Sequence, residues 1–316
     1  MSASVLNATH FQNEQAAFDY VESRIWANGP TCPHCGNADP KRIHKMTGET
    51  TRMGLRKCNE CRKPFTVRMG TIFESSHLPL HLWLQVIHLM WASKKGISTN
   101  QIQRMLSCSM KTAWFLTHRI REAMRDGGLS PLGGGGGFVE VDETAMGRTE
   151  DAPKKGRALM GRSEFRNTVV TLVERGGSAR SFHAEGARIA DLKPIIQANV
   201  AREAHLMTDE WKAYREIGRD FASHDAVNHS SDEYVRREGE KLVTTNTVEG
   251  FYSVFKRGMR GVYQHCKERH LHRYLAEFDF RYSNRVKLGV NDVSRADRAL
   301  QGVKGKRLTY ETTAAI

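Results

Sequence analysis

Apolar positions recur at two different periods along the 316 residues, and the change of period divides the chain. Up to about residue 126 the spacing is helical. THFQNEQAAFDYVESRIW (9–26) gathers Phe11, Phe18, Val21, Ile25 and Trp26 on one face. PLHLWLQVIHLMWAS (79–93) is apolar nearly all round, which predicts a buried helix. Ser98 or Thr99 then caps TNQIQRMLS, and Ser109 caps SMKTAWFLTHRIREAM. Two helices joined by a short turn, the second rich in polar and basic side chains, form a helix-turn-helix pattern. In that reading Lys111, Thr112, His118, Arg119 and Arg121 face a DNA groove. An ordinary three-helix unit with Trp114, Phe115 and Ile120 in its core fits the same periodicity.

GLSPLGGGGG (128–137) reads as a flexible linker, and beyond it the period shortens to two. FVEVDET, NTVVTLVER and SARSFHAEG predict three strands, the last two joined by a turn at Gly176-Gly177. A helix follows over Asp191–Val200, with Pro194 tolerated near its start. AHLMTDE predicts a fourth strand, Trp211–Ile217 a helix and DAVNHSS a short fifth strand. SDEYVRREGEKLVTT reads as a loop, and a helix begins near Thr244. This order predicts an α/β fold, a ribonuclease-H-like mixed sheet flanked by helices. In that fold the first and fourth strands are neighbours and the last helix crosses beside them. The predicted domains are 1–71 (helix and zinc ribbon), 72–127 (helix-turn-helix), 128–137 (linker), 138–290 (ribonuclease-H-like) and 291–316 (a tail without chemistry, partly disordered).

Charge narrows the partners. There are 48 Lys and Arg against 35 Asp and Glu, a net charge of +13. A chain this basic binds a polyanion by default, and nucleic acid is the first choice. No stretch is long and apolar enough to span a bilayer, and no signal-peptide layout opens the chain, so a cytoplasmic, nucleoid-associated protein with reduced thiols is expected. Four of the six cysteines fall in CPHC and CNEC: Cys32, Cys35, Cys58 and Cys61. Paired C-x2-C knuckles around a hairpin are the layout of a four-thiolate Zn2+ ribbon. Cys108 and Cys266 read as structural.

The last helix organises the remaining chemistry. In TTNTVEGFYSVFK, Asn246, Glu249 and Lys256 share one face within a sector of about 80°. Asp142 ends one apolar strand and Asp209 another. Three acids converging from two strand ends and a helix suit hard divalent cations, which take oxygen ligands. Glu140 lies on the same strand face as Asp142 and is a possible further ligand, whereas Glu143 and Glu210 alternate to the opposite side. The expected acids are Asp142, Asp209 and Glu249, with Glu140→Gln remaining active. KRGMRGVYQHCKERHLHRY adds Lys256, Arg257, Arg260, Lys267, Arg269 and Arg273, read as a track for DNA phosphates.

CPHCG…CNECRKPF, VEVDETAMG, HLMTDEW, NHSSDEYV and TTNTVEGFYSVFKRGMRGVYQHCKERHLHRYLAEFDFRYSNR together make the chain resemble the DDE insertion-sequence transposases that carry an N-terminal zinc ribbon and an ISXO-like catalytic domain. The resemblance implies that Asp142, Asp209 and Glu249 are the catalytic acids holding Mg2+ or Mn2+, accompanied by Asn246 and Lys256. It implies action on double-stranded DNA, the element's terminal inverted repeats and a target, by a homo-oligomer, with cleavage at the ends and transfer of 3′-OH groups. A non-catalytic zinc-ribbon and helix-turn-helix regulator is the alternative, and a structure-selective nuclease of the same fold a third reading.

Overall fold

The computed structural model describes residues 4–125, 129–151 and 166–308. The chain divides into two compact units, one of residues 1–93, 97–125 and 291–316, the other of residues 94–96 and 126–290.

The first unit opens with α1 (Glu14–Ile25), capped by Asn13 and burying Ala17, Phe18 and Val21. A three-stranded antiparallel sheet follows: β1 (Ile43–Lys45), β2 (Arg56–Cys58) and β3 (Pro64–Phe65). Next come α2 (Leu80–Ala92), α3 (Thr99–Leu106) and α4 (Met110–Met124). Trp83, Leu84, Ile87 and Met90 bury most of α2, as its sequence requires. Ser98 and Ser109 cap α3 and α4, and the turn between them bends at Ser107, whose φ of 50° is left-handed.

The second unit is built on a five-stranded sheet. Its strands are β4 (Phe138–Met146), β5 (Asn167–Glu174), β6 (Ala179–Ala184), β7 (His205–Thr208) and β8 (Ser223–Ala226), in spatial order β6-β5-β4-β7-β8. β4, β5 and β6 pair antiparallel, while β4, β7 and β8 run parallel, so the sheet is mixed. α5 (Ile189–Asn199) and α6 (Lys212–Ile217) share one face with Val139, Val141, Val170 and Leu172. α7 and α8 (Asn246–Gly258 and Leu271–Ser283) share the other with Val169 and Val173. The two-residue period of β4 therefore sends Val139 and Val141 to α5 and α6, and Glu140 and Asp142 to α7.

Three segments differ from their sequence reading. The expected loop before α7 holds a hairpin, β9 (Val235–Glu238) and β10 (Lys241–Thr244). The expected tail contains α9 (Asp292–Gln301), with Arg295, Ala296, Ala299 and Leu300 buried. The glycine run is a packed turn over its described part, not a flexible tether. Leu132 bridges Val200, the Gly137 N–H donates to the Gly133 carbonyl, and a Cβ on Gly133 would come within 2.5 Å of the Ala204 Cβ. Glycine is required there by close approach and by a φ of 76°. Among the described residues, no helix is long and apolar enough to cross a membrane.

Candidate active site and zinc ribbon

The sulfur atoms of Cys32, Cys35, Cys58 and Cys61 all lie within 4.8 Å of one another. Cys32 and Cys61 are 3.6 Å apart, Cys35 and Cys58 3.7 Å. A tetrahedron of thiolates around Zn2+ at about 2.3 Å has edges of about 3.8 Å, so the donor set fits a structural zinc. The Cys61 backbone N–H, with further help from Asn37 and the Glu60 N–H, holds the Cys58 thiol down to about 6. That favours the thiolate a metal requires.

The acids of the second unit are arranged differently. β4 and β7 pair with Glu140 opposite Met207. Asp142 lies two residues beyond that pair on β4 and Asp209 just past the end of β7, close enough for the Asp209 charge to act on Asp142. α7 is fastened beside them by two buried contacts. Glu140, fully buried, accepts hydrogen bonds from the backbone N–H groups of Thr247 (2.7 Å) and Val248 (3.1 Å) and from the Thr247 hydroxyl (2.8 Å). Its carboxylate therefore caps the positive end of α7. Tyr252, one turn beyond Glu249, donates its hydroxyl to the Asp142 and Val169 carbonyls at 2.7 and 3.0 Å. Arg175 completes the frame, donating to Glu140 at 2.6 Å and to the carbonyls of Leu242 and Thr244 in the hairpin.

Glu140 is thus committed to holding the helix, which removes it as a free metal ligand. Glu143 does face the opposite side, where it accepts the Tyr214 hydroxyl. Burial, then the charges of Glu143, Asp209 and Glu249, push the Asp142 carboxyl from 3.8 up to about 7. Burial also raises Asp209. Glu249 leans toward other partners: its Oε1 accepts the Thr245 hydroxyl at 3.0 Å and lies 3.5 Å from His229 Nε2. Among the described residues the three carboxylates do not close into a cluster as tight as the cysteines. Asn246 is exposed at the start of α7, and the Lys256 ammonium lies 5.5 Å from the centre of the Tyr252 ring.

His229 is a neighbour the sequence reading did not single out. Glu210 holds its loop, accepting the His229 and Ser230 N–H groups at 2.9 and 3.1 Å and the Ser230 hydroxyl at 2.7 Å. These bonds, led by the Ser230 hydroxyl, lower Glu210 to about 2. The spacing of NHSS from HLMTDE carried no signal that the two loops meet.

The candidate DNA contacts separate by burial. Lys111 and Thr112 are exposed at the start of α4, and Arg257, Arg260, Lys267 and Arg269 are exposed along the segment after Glu249. Arg119 is 4% exposed and donates to the carbonyls of Glu74 and Leu308, so its guanidinium is spent on the fold rather than offered to a groove. Arg273 is likewise buried, bonded to His270, and leaves the basic track.

Residues 134–283 match the family model of the ISXO2-like transposase domain, and residues 12–64 match that of the transposase zinc-ribbon domain. The chain carries two transposase family domains, the zinc ribbon and the ISXO2-like domain. It is also 27% identical, over 286 residues, to an uncharacterized protein in the transposable element ISH50 of Halobacterium salinarum, covering 86% of this chain and 91% of that one.

Proposed function

We propose that this transposase cuts DNA at the ends of its element and joins the freed 3′-OH groups to target DNA, using Asp142, Asp209 and Glu249 to hold two Mg2+ or Mn2+ ions. The observation that carries the reading is the crowding of Asp142 by the charges of Glu143, Asp209 and Glu249, which with burial raises it to about 7. Burial and crowding by like charge leave such a site short of positive charge, and divalent cations are what hard carboxylate oxygens take. When bound, the ions supply a Lewis acid and an activated oxygen nucleophile for phosphodiester exchange. The chain's own groups do the rest. Glu140 and Tyr252 hold α7 against β4, Asn246 borders the acids, and Lys256 contacts the phosphate or base of the terminal strand. In this reading the sheet is ribonuclease-H-like, α3 and α4 are a helix-turn-helix reading the terminal repeats through Lys111 and Thr112, and the basic track from Arg257 to Arg269 follows the DNA backbone. The working form is an oligomer of this chain on cytoplasmic, chromosomal DNA.

The test is a cleavage and joining assay on the element's flanking inverted repeats with Mg2+. Asp142→Asn, Asp209→Asn and Glu249→Gln are expected each to abolish both steps while leaving DNA binding intact or strengthened. Full activity of the Glu249→Gln protein would falsify the assignment of the third acid.

A further inference from the structure

The rim of the carboxylate site carries two large rings that the reaction above does not use. Trp211 is 52% exposed and Tyr234 53%. Both are built into the site rather than scattered on the surface. The Trp211 backbone N–H donates to Asp209 Oδ1 at 3.0 Å, which holds the residue's backbone two positions from a proposed catalytic acid. The Tyr234 ring centre lies 5.2 Å from that of His229, whose Nε2 is 3.5 Å from Glu249. The Tyr234 carbonyl also accepts the Thr244 hydroxyl at 3.1 Å, tying the residue to the strand that leads into α7. Glu210 joins the two loops through the His229 and Ser230 amides. Both residues therefore sit on braced backbone, each more than half exposed.

Exposed aromatic faces on a strongly basic chain are the combination that binds unpaired nucleobases, because every base offers a π-face and cations hold its phosphates. We propose that Trp211 and Tyr234 form a stacking platform for the unpaired bases of a DNA strand end, gripping it next to the carboxylates. The proposal rests on the DNA-cutting reading of this site and adds the state of the substrate: a frayed or single-stranded end rather than intact duplex.

The experiment compares equilibrium binding of the full-length, zinc-loaded protein to a blunt duplex and to the same duplex with a short oligothymidine 3′ extension. The wild type is expected to prefer the extended probe. Trp211→Ala and Tyr234→Ala are each expected to bind the extended probe about tenfold more weakly, with blunt-duplex affinity unchanged. Trp211→Phe, which keeps a ring, is expected to retain most of the preference. The readout is a ratio of affinities, so a general loss of folding or charge does not imitate it. An unchanged ratio in both alanine proteins, or equal loss in Trp211→Phe and Trp211→Ala, overturns the platform. So does loss of self-association in Trp211→Ala without any change in that ratio, which would make the surface a contact between copies. A wild type that cuts element ends but does not prefer the extension sinks the platform alone. One that prefers the extension but cuts with no divalent ion sinks the cutting reading alone.

Discussion

The cysteine site gathers its ligands from two knuckles and the carboxylate site from β4, the end of β7 and α7, and the two sets are held in opposite ways. The four sulfurs already lie at the spacing of a zinc tetrahedron. The carboxylates are gathered less tightly, with Asp142 raised to about 7 and Glu249 leaning to Thr245 and His229. The difference follows from what each ion asks. A structural zinc replaces a core, so its ligands must be fixed by the chain around them. A catalytic pair of ions must accept substrate oxygens and water, so its ligands are few and kept open.

The largest expected effect is on the closed site. Cys58→Ser removes a buried thiolate from a module whose core is little more than Cys32, Ile43, Cys58 and Phe65. Zinc binding in such modules contributes on the order of 10 kcal/mol to folding. The variant should lose its zinc by metal analysis, and residues around 28–70 should become sensitive to protease while the five-stranded sheet stays resistant. If that sheet is lost as well, the two sites are not independent and the contrast fails.

The open site is expected to respond in the opposite direction. Asp142 has a folded value near 7, above its ordinary 3.8, so its ionised form is disfavoured among its own neighbours. The cost is absent below about pH 4, grows as the pH rises toward 7, and is constant above that, reaching at most about 4 kcal/mol. Asp142→Asn cannot ionise. In buffer free of Mg2+ and Mn2+, with no chelator that would strip the zinc, it should melt higher than the wild type at pH 8 and about equally at pH 4. Adding Mg2+ should raise the wild type and leave the variant unmoved. A variant that melts lower at pH 8 would mean that the carboxylate is already compensated.

Glu140 sharpens the comparison, because it shows how far each site can be read from residues alone. The cysteine spacing was legible, since two paired knuckles admit few other structures. The alternation in FVEVDET put Asp142 on the face of Glu140 and sent Glu143 to the other, but β4 runs on to Met146, so Asp142 lies in mid-strand rather than at the strand end. The same alternation put Glu140 beside Asp142 but could not say what it meets. Its partners, the amides of Thr247 and Val248, lie over a hundred residues away. The hairpin β9–β10 was illegible because VRRE and KLVT carry charges on exposed strands, with only Val243 and Thr244 buried. α9 was hidden by its polar composition, and Arg119 by the assumption that an arginine on a polar helix seeks solvent. The expectation that Glu140→Gln remains active is accordingly revised. The neutral amide leaves the Arg175 guanidinium without its counter-charge and weakens the cap on α7. It should cost about 2–4 kcal/mol in urea unfolding and reduce cleavage by displacing Glu249. Unaltered stability would mean that the cap contributes nothing.

The smallest expected effect concerns the cations proposed to hold the DNA backbone. Arg260 and Lys267 are exposed on the segment after α7, whereas Arg273 in the same run is buried against His270. Only an exposed cation releases counterions from DNA when it meets a phosphate. Arg260→Ala and Lys267→Ala should therefore each lower the slope of log affinity against log salt by about one, for random and element DNA alike. Lys111→Ala or Thr112→Ala in the first unit should instead reduce the preference for element ends. Arg273→Ala should lower thermal stability and leave the slope where it was, because its guanidinium already has a protein partner. If Arg273→Ala changes the slope as much as Arg260→Ala, burial does not separate the structural cations from the binding ones. The basic track would then have to be redrawn around α8.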